Sequence, residues 1–228
     1  MPDFVRGLAD SANVPEKYQI TMRALPGAKL ETLWNDAEAQ RLLEEEQWDD
    51  VIIQGEAGGL LGGSKISSFL NYGELLIGKA RQHGARASII VQWNYGPQVF
   101  REPNPHLMET NDRVMQLQHR ALADRTGAGL LNSGLAWRIV SSSEPSIPLD
   151  REDGVHPTLQ GSYLSALTVF ACLSGTDNFA AEYAPWGLSY EQAARIRKAM
   201  ASSPGSGMLC KKAKPLPVLS SSSTRSGW

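Results

Sequence analysis

Asp49-Asp50-Val51-Ile52-Ile53-Gln54 is the run on which the fold turns. Its apolar centre is β-branched, only a few residues long and closed by a glycine, which is the pattern of a parallel strand buried on both faces. A second run of the same kind, Ala87 to Gln92, ends at Trp93-Asn94-Tyr95-Gly96-Pro97, and Leu130-Leu131 reads as a last short strand. Helices are expected between these runs over 65–83 and 107–126, and after the last of them over 134–140.

Working outward, Phe4, Val5 and Leu8 mark an amphipathic helix over 2–12, and the alternation over Tyr18 to Ala24 reads as a strand. Pro26-Gly27 is a turn signal, and Leu30 to Gln47 is a helix with Leu33, Trp34, Leu42 and Leu43 as its stripe. Downstream, helices are expected over Leu159–Leu173 and Ser189–Ala201. Strands alternating with helices give a parallel sheet covered on both faces, with its ligand crevice beyond the carboxyl ends of the strands. Gly27, Gln54 and Trp93-Asn94 each follow a predicted strand, so they should share one rim.

With 228 residues, 42% of them hydrophobic, the chain can bury one α/β core, placed here at 1–201. From Ser202 the composition shifts to Ser, Gly, Pro and Lys, so 202–228 is expected to be a disordered tail. A net charge of −2 offers no electrostatic attraction for nucleic acid or an anionic membrane. No apolar run approaches the roughly 18 to 20 residues of a membrane span. Met1 to Leu8 has neither the basic lead nor the long apolar core of a signal peptide. Cys172, inside an apolar helix, reads as a small core residue, and with Cys210 it makes no disulfide framework and no metal spacing.

The residues with most chemical content are Asp153-Gly154-Val155-His156-Pro157-Thr158, on a polar turn opening the helix at Leu159. An Asp three residues before a His can hold the imidazole in one tautomer and stabilise its cation during acyl transfer. A helix cap beside a surface histidine has the same spacing. His83 precedes Gly84 at a helix end, His106 lies in a loop and His119 in a polar helix; no pair has metal-ligand spacing. Gly58 to Gly63 lacks the Gly-Lys-Ser/Thr ending of a phosphate loop and reads as a mobile loop over the crevice. Trp93, Asn94 and Tyr95 are candidates to line an acyl or sugar pocket, although Trp93 equally suits the core. Ser11, Ser64, Ser67 and Ser68 lie in helical or loop contexts, and no serine stands on a strained strand-to-helix turn of the kind that presents a nucleophile.

Taken in order, these blocks resemble the SGNH (GDSL-type) hydrolases over residues 1 to 180. Asp153-Gly154-Val155-His156-Pro157, followed by Gly161-Ser162-Tyr163-Leu164, is similar to that family's C-terminal Asp-x-x-His block. Leu25-Pro26-Gly27-Ala28-Lys29-Leu30 stands where the family places an oxyanion-hole glycine. Trp48 to Gln54 resembles a subgroup with glutamine in place of Gly-x-Asn-Asp. The family's first block, a strand ending in Gly-Asp-Ser or Gly-Asn-Ser, is absent, since the chain opens at the helix that would follow it.

The resemblance implies a flavodoxin-like three-layer α/β/α fold lacking its first, central strand, between Tyr18–Ala24 and Asp50–Gln54. It implies a Ser-His-Asp catalytic triad with His156 as general base, Asp153 orienting it, and Gly27 and Gln54 as oxyanion donors. The implied activity is hydrolysis of a small-molecule ester with no cofactor and no metal. The serine would stand upstream of Met1, leaving the chain as given inactive. Gly27 equally serves as a turn residue, and Gln54 as the group that satisfies a loop. The competing reading is a non-catalytic α/β protein that binds a ligand in the same crevice.

Overall fold

The computed structural model describes residues 1–12, 14, 18–55, 63–96, 99, 105–175, 179, 181–203 and 206–216. Among them the chain forms α1 (Pro2–Ser11), α2 (Leu30–Trp34), α3 (Ala37–Glu45), β1 (Asp50–Ile53), α4 (Gly63–Gln82), β2 (Arg86–Val91), α5 (Pro105–Thr126), β3 (Gly129–Asn132), α6 (Ser133–Ser143), α7 (Leu159–Ser174), α8 (Tyr190–Ser202) and β4 (Cys210–Lys211). The sheet has the order β1-β2-β3-β4. β1, β2 and β3 run parallel, with Ile52 opposite Ser88 and Ile89 opposite Leu130, and β4 closes the far side antiparallel with Cys210 opposite Leu131.

Alternation along β2 divides the core in two. Ile89 and Val91 face Phe69, Leu76, Ile77 and Leu122 of α4 and α5, while Ile90 faces Leu8, Val140, Leu164 and Leu167 on the layer of α1, α6, α7 and α8. α7 is apolar on nearly every side because it packs against α1, α6, α8 and β3 together. Each such side chain contributes roughly 2 kcal/mol by leaving water. The result is a three-layer α/β/α fold with a mostly parallel sheet.

Four expectations are corrected. The strand expected over Tyr18–Ala24 is absent: among the described residues the segment pairs with no strand, and β1 is bonded on one side only, to β2. Its alternation still records burial, because Tyr18 and Ile20 pack on the α1–α7 core while Gln19 and Thr21 are exposed. The segment is held by side chains instead. Arg6 donates to the Ile20 carbonyl at 3.2 Å, and Arg23 makes two bonds to Asp36 at 2.8 and 2.7 Å.

The helix expected over Leu30–Gln47 is two, α2 and α3. Asp36 starts the second by accepting from the Ala39 N–H at 2.9 Å, a cap worth about 1 kcal/mol. Arg23 and that N–H together hold the Asp36 carboxyl down to about 2.

The two cysteines are bonded to each other: Cys172 on α7 and Cys210 on β4 form a disulfide, their Cα atoms 5.3 Å apart. They are 38 residues apart in sequence, too far for local pattern to pair them. Part of the segment expected as a tail is ordered instead, since Cys210–Lys211 belongs to the sheet and Lys214 N donates to the Gly127 carbonyl at 2.8 Å. Residues 58–62 of the expected glycine loop lie outside the described residues, and Gly63 opens α4.

Candidate active site

The site is built on a closed loop at the carboxyl ends of the strands. Asp150 and Pro157 face each other in an antiparallel bridge, and the Arg151 N–H donates to the His156 carbonyl at 2.8 Å. The segment 151–156 is thereby folded back on itself. At its tip the Gly154 N–H donates to the Arg151 carbonyl at 2.9 Å, and Gly154 takes a φ of +66°, where a Cβ would be strained. Thr158 then caps α7, accepting from the Gly161 N–H at 3.1 Å while its own hydroxyl donates back to the Pro148 and Leu149 carbonyls.

Within this loop Asp153 Oδ2 lies 2.9 Å from His156 Nδ1. Oδ1 accepts from the backbone N–H groups of Val155 and His156 at 2.8 and 2.9 Å. Those two N–H bonds, with the imidazole beside them, hold the Asp153 carboxyl down at about 2, so it stays an anion. An ionised partner fixes Nδ1 as the protonated nitrogen and leaves the Nε2 lone pair as the base. The His156 side chain is 69% exposed, and its Nε2 has no hydrogen-bond partner among the described residues. The base points at open solvent.

The loop is anchored to the sheet at two places. The Gly96 N–H donates to the Gly154 carbonyl at 2.7 Å, joining the segment that leaves β2 to the loop tip. Beneath it Trp137 Nε1 donates to Asp150 at 3.2 Å, and Trp137 stacks on Trp93 with ring centres 4.1 Å apart. Burial raises the Asp150 carboxyl above its ordinary value, against the pull of that indole bond. Trp93 is thus a core residue. Asn94 is structural too: its amide donates to the Met108 carbonyl at 2.7 Å and its oxygen accepts from Tyr95 N and Asn111 Nδ2.

Neither Gly27 nor Gln54 is bonded to the Asp153–His156 pair among the described residues. Gly27, at φ +66°, is exposed in the turn where Ala28 N donates to the Leu25 carbonyl at 3.1 Å. Gln54 is exposed at the end of β1. The two segments meet through Leu30, whose side chain stands 3.8 Å from where a Cβ on Gly55 would lie. No hydrogen bond joins either residue to Asp153 or His156 among the described residues.

One serine does occupy a strand-to-helix junction, but not on a strained turn that presents it. Ser133 follows β3 directly and opens α6, with Asn132 capping that helix by accepting from the Leu135 N–H at 3.0 Å. It is fully buried and its Oγ has no partner, like the side-chain oxygen of Gln92. A buried hydroxyl cannot meet an ester carbonyl, so Ser133 is no substitute nucleophile in this conformation. Asn132-Ser133-Gly134 was the signal available in the sequence. The role of Gly96 had none, because a backbone donor leaves no mark on residue type.

Two solved structures resemble this one. One is a proposed SGNH hydrolase from Slackia heliotrinireducens, 25% identical, covering 78% of this chain and 90% of its own, with a TM-score of 0.57. The other is a DUF4886 family protein from Bacteroides uniformis, 16% identical, covering 87% of each chain, with a TM-score of 0.69. No protein-family model matches the sequence, and no curated protein does. The layers, the mostly parallel sheet and the likeness to the first of these proteins agree: the chain has an SGNH-hydrolase-like α/β/α fold.

Proposed function

We propose that this protein is built for serine-dependent hydrolysis of esters, with Asp153 and His156 as two members of the triad. The observation that supports this best is the Asp153–His156 pair itself, whose carboxylate is satisfied on both oxygens while the far ring nitrogen is free. A helix cap alone needs no imidazole, and Thr158, not Asp153, caps α7.

In this reading His156 Nε2 takes the proton of a serine hydroxyl as its oxygen bonds to the ester carbonyl carbon. The carbonyl oxygen becomes an oxyanion facing the Gly27 N–H and the Gln54 amide, donors worth about 3 kcal/mol each in such sites. As the C–O bond breaks, His156 returns the proton to the leaving alcohol. Water then repeats the sequence and frees the acid. The serine is carried on a strand alongside the free edge of β1, the same rim as Gln54.

The test compares the 228-residue chain with a version extended upstream of Met1 by its own coding sequence, using p-nitrophenyl acetate and a fluorophosphonate label. Turnover and labelling by the extended form only, both lost in His156→Ala, are expected. Turnover by the 228-residue chain, with label on Ser133, would move the nucleophile to β3 and overturn the assignment. An extended form that neither labels nor hydrolyses any short acyl ester would favour a ligand-binding protein.

A further inference from the structure

Lys211-Lys212-Ala213-Lys214 is a run of cations that the candidate active site does not use. The fold lays it along the outer side of the sheet. Lys211 belongs to β4, the Lys214 N–H donates to the Gly127 carbonyl at 2.8 Å, and a Cβ on Gly127 would lie 3.3 Å from Lys214 Cβ. Two arginines from helices join it there. Arg81, in the last turn of α4, donates to the Lys214 and Pro215 carbonyls at 3.1 and 3.2 Å. Arg120 stands on α5 one turn before Asp124, which is ion-paired with Lys211. The Lys211 bond, with the charges of Arg120 and Lys214 nearby, holds the Asp124 carboxyl below its ordinary value.

Four cations, Arg81, Arg120, Lys211 and Lys214, thus gather around one carboxylate, Asp124. Among the described residues no carboxylate pairs with Arg81, Arg120 or Lys214, and the neighbouring Arg125 and Glu74 satisfy each other. The net charge of −2 averages over this face and conceals it. Lysine on an edge strand deters pairing with other chains. That reason covers Lys211 and leaves out Arg81 and Arg120, which stand on helices.

The same face exposes apolar side chains. Leu117 lies three residues before Arg120 and seven before Asp124, on one stripe of α5, and is 53% exposed. Met208, two residues before Cys210, is 69% exposed. Their chain neighbours are held to one residue: Asn132 donates its side-chain amide to Gln116 at 3.0 Å and its N–H to the Leu209 carbonyl at 2.8 Å.

We propose that this face, the α5–β4 side of the sheet, docks the protein on an anionic lipid bilayer. Cations beside exposed apolar side chains suit a headgroup layer, which offers phosphate to the first and the acyl boundary to the second. A soluble polyanion would engage the cations and leave Leu117 and Met208 in water. The docking goes beyond the esterase reading and does not depend on it.

The test sediments the 228-residue chain with vesicles of equimolar phosphatidylglycerol and phosphatidylcholine, and with phosphatidylcholine alone. Binding to the first only, with release at about 1 M salt where the screening length is about 3 Å, is expected. A surface cation is worth about fivefold in such binding, so Arg120→Gln with Lys214→Gln should weaken it tenfold or more. Lys29→Gln with Lys198→Gln removes the same charge from exposed positions elsewhere and should bind like the parent. Leu117→Ser with Met208→Ser should weaken binding and keep its salt dependence. All six side chains are exposed, so each variant should melt like the parent. Binding to neither vesicle, or to both alike, would overturn the proposal. So would an equal loss in the two charge pairs, or apolar variants that bind like the parent. Release from the vesicles by polyglutamate or single-stranded DNA at equal charge would overturn it too, and make the partner a soluble polyanion.

Discussion

The Gly96 N–H donates to the Gly154 carbonyl at 2.7 Å, so the loop carrying Asp153 and His156 is referenced to the end of β2 by a backbone bond between two glycines. The peptide orientation at Gly154 therefore sets where the dyad stands above the strands.

Gly154→Ala is expected to cost about 1 kcal/mol, because its φ of +66° strains any residue with a Cβ. Gly154→Asn should lose less, since asparagine tolerates that region better. Denaturant unfolding of both variants measures the difference; equal losses would place the cost elsewhere than in the backbone angle.

Asp153→Asn keeps an oxygen for the Val155 and His156 N–H groups but turns an amide donor toward Nδ1. If the proposed esterase reading holds, this selects the wrong tautomer and should lower kcat by about 10²–10⁴. The same variant reports on acid stability. The Asp153 carboxyl is lowered to about 2 in the fold, so its stabilisation is complete above the ordinary 3.8 and is lost as pH falls toward 2. Thermal melts between pH 5 and 2 should therefore be flatter for Asp153→Asn than for the parent.

His119 is wholly buried against Phe69, with ring centres 4.8 Å apart, its Nδ1 on the Met115 carbonyl and its Nε2 unpartnered. Burial lowers it from 6.5 to about 4, so the unfolded chain takes up the proton first. Stability is then full above pH 6.5 and falls as the pH drops to 4, by up to about 3 kcal/mol. His119→Phe should remove that slope in melts from pH 7 to 4.

The Cys172–Cys210 disulfide ties β4 to α7 and closes the loop that contains α8. By chain entropy its loss is worth about 3–4 kcal/mol. Reduction, or Cys172→Ser with Cys210→Ser, should lower the Tm and expose the β3 amides that β4 covers, which hydrogen exchange reads directly.

The sequence determined the features that depend on neighbours along the chain. The β-branched run Val51-Ile52-Ile53, the apolar length of α7 and the Asp153–His156 spacing each carry their structural meaning within a few residues, because burial on both faces and an i,i+3 hydrogen bond are local matters. Asp36 was equally legible as a cap, and reading through it merged α2 with α3. Tertiary structure alone decided what needs a distant partner. Tyr18 to Ala24 has a strand's alternation, yet a strand exists only where a second backbone lies alongside, and none does among the described residues. The pairing of Cys172 with Cys210 and the burial of His119 and Ser133 are set by packing between elements, which residue type does not encode.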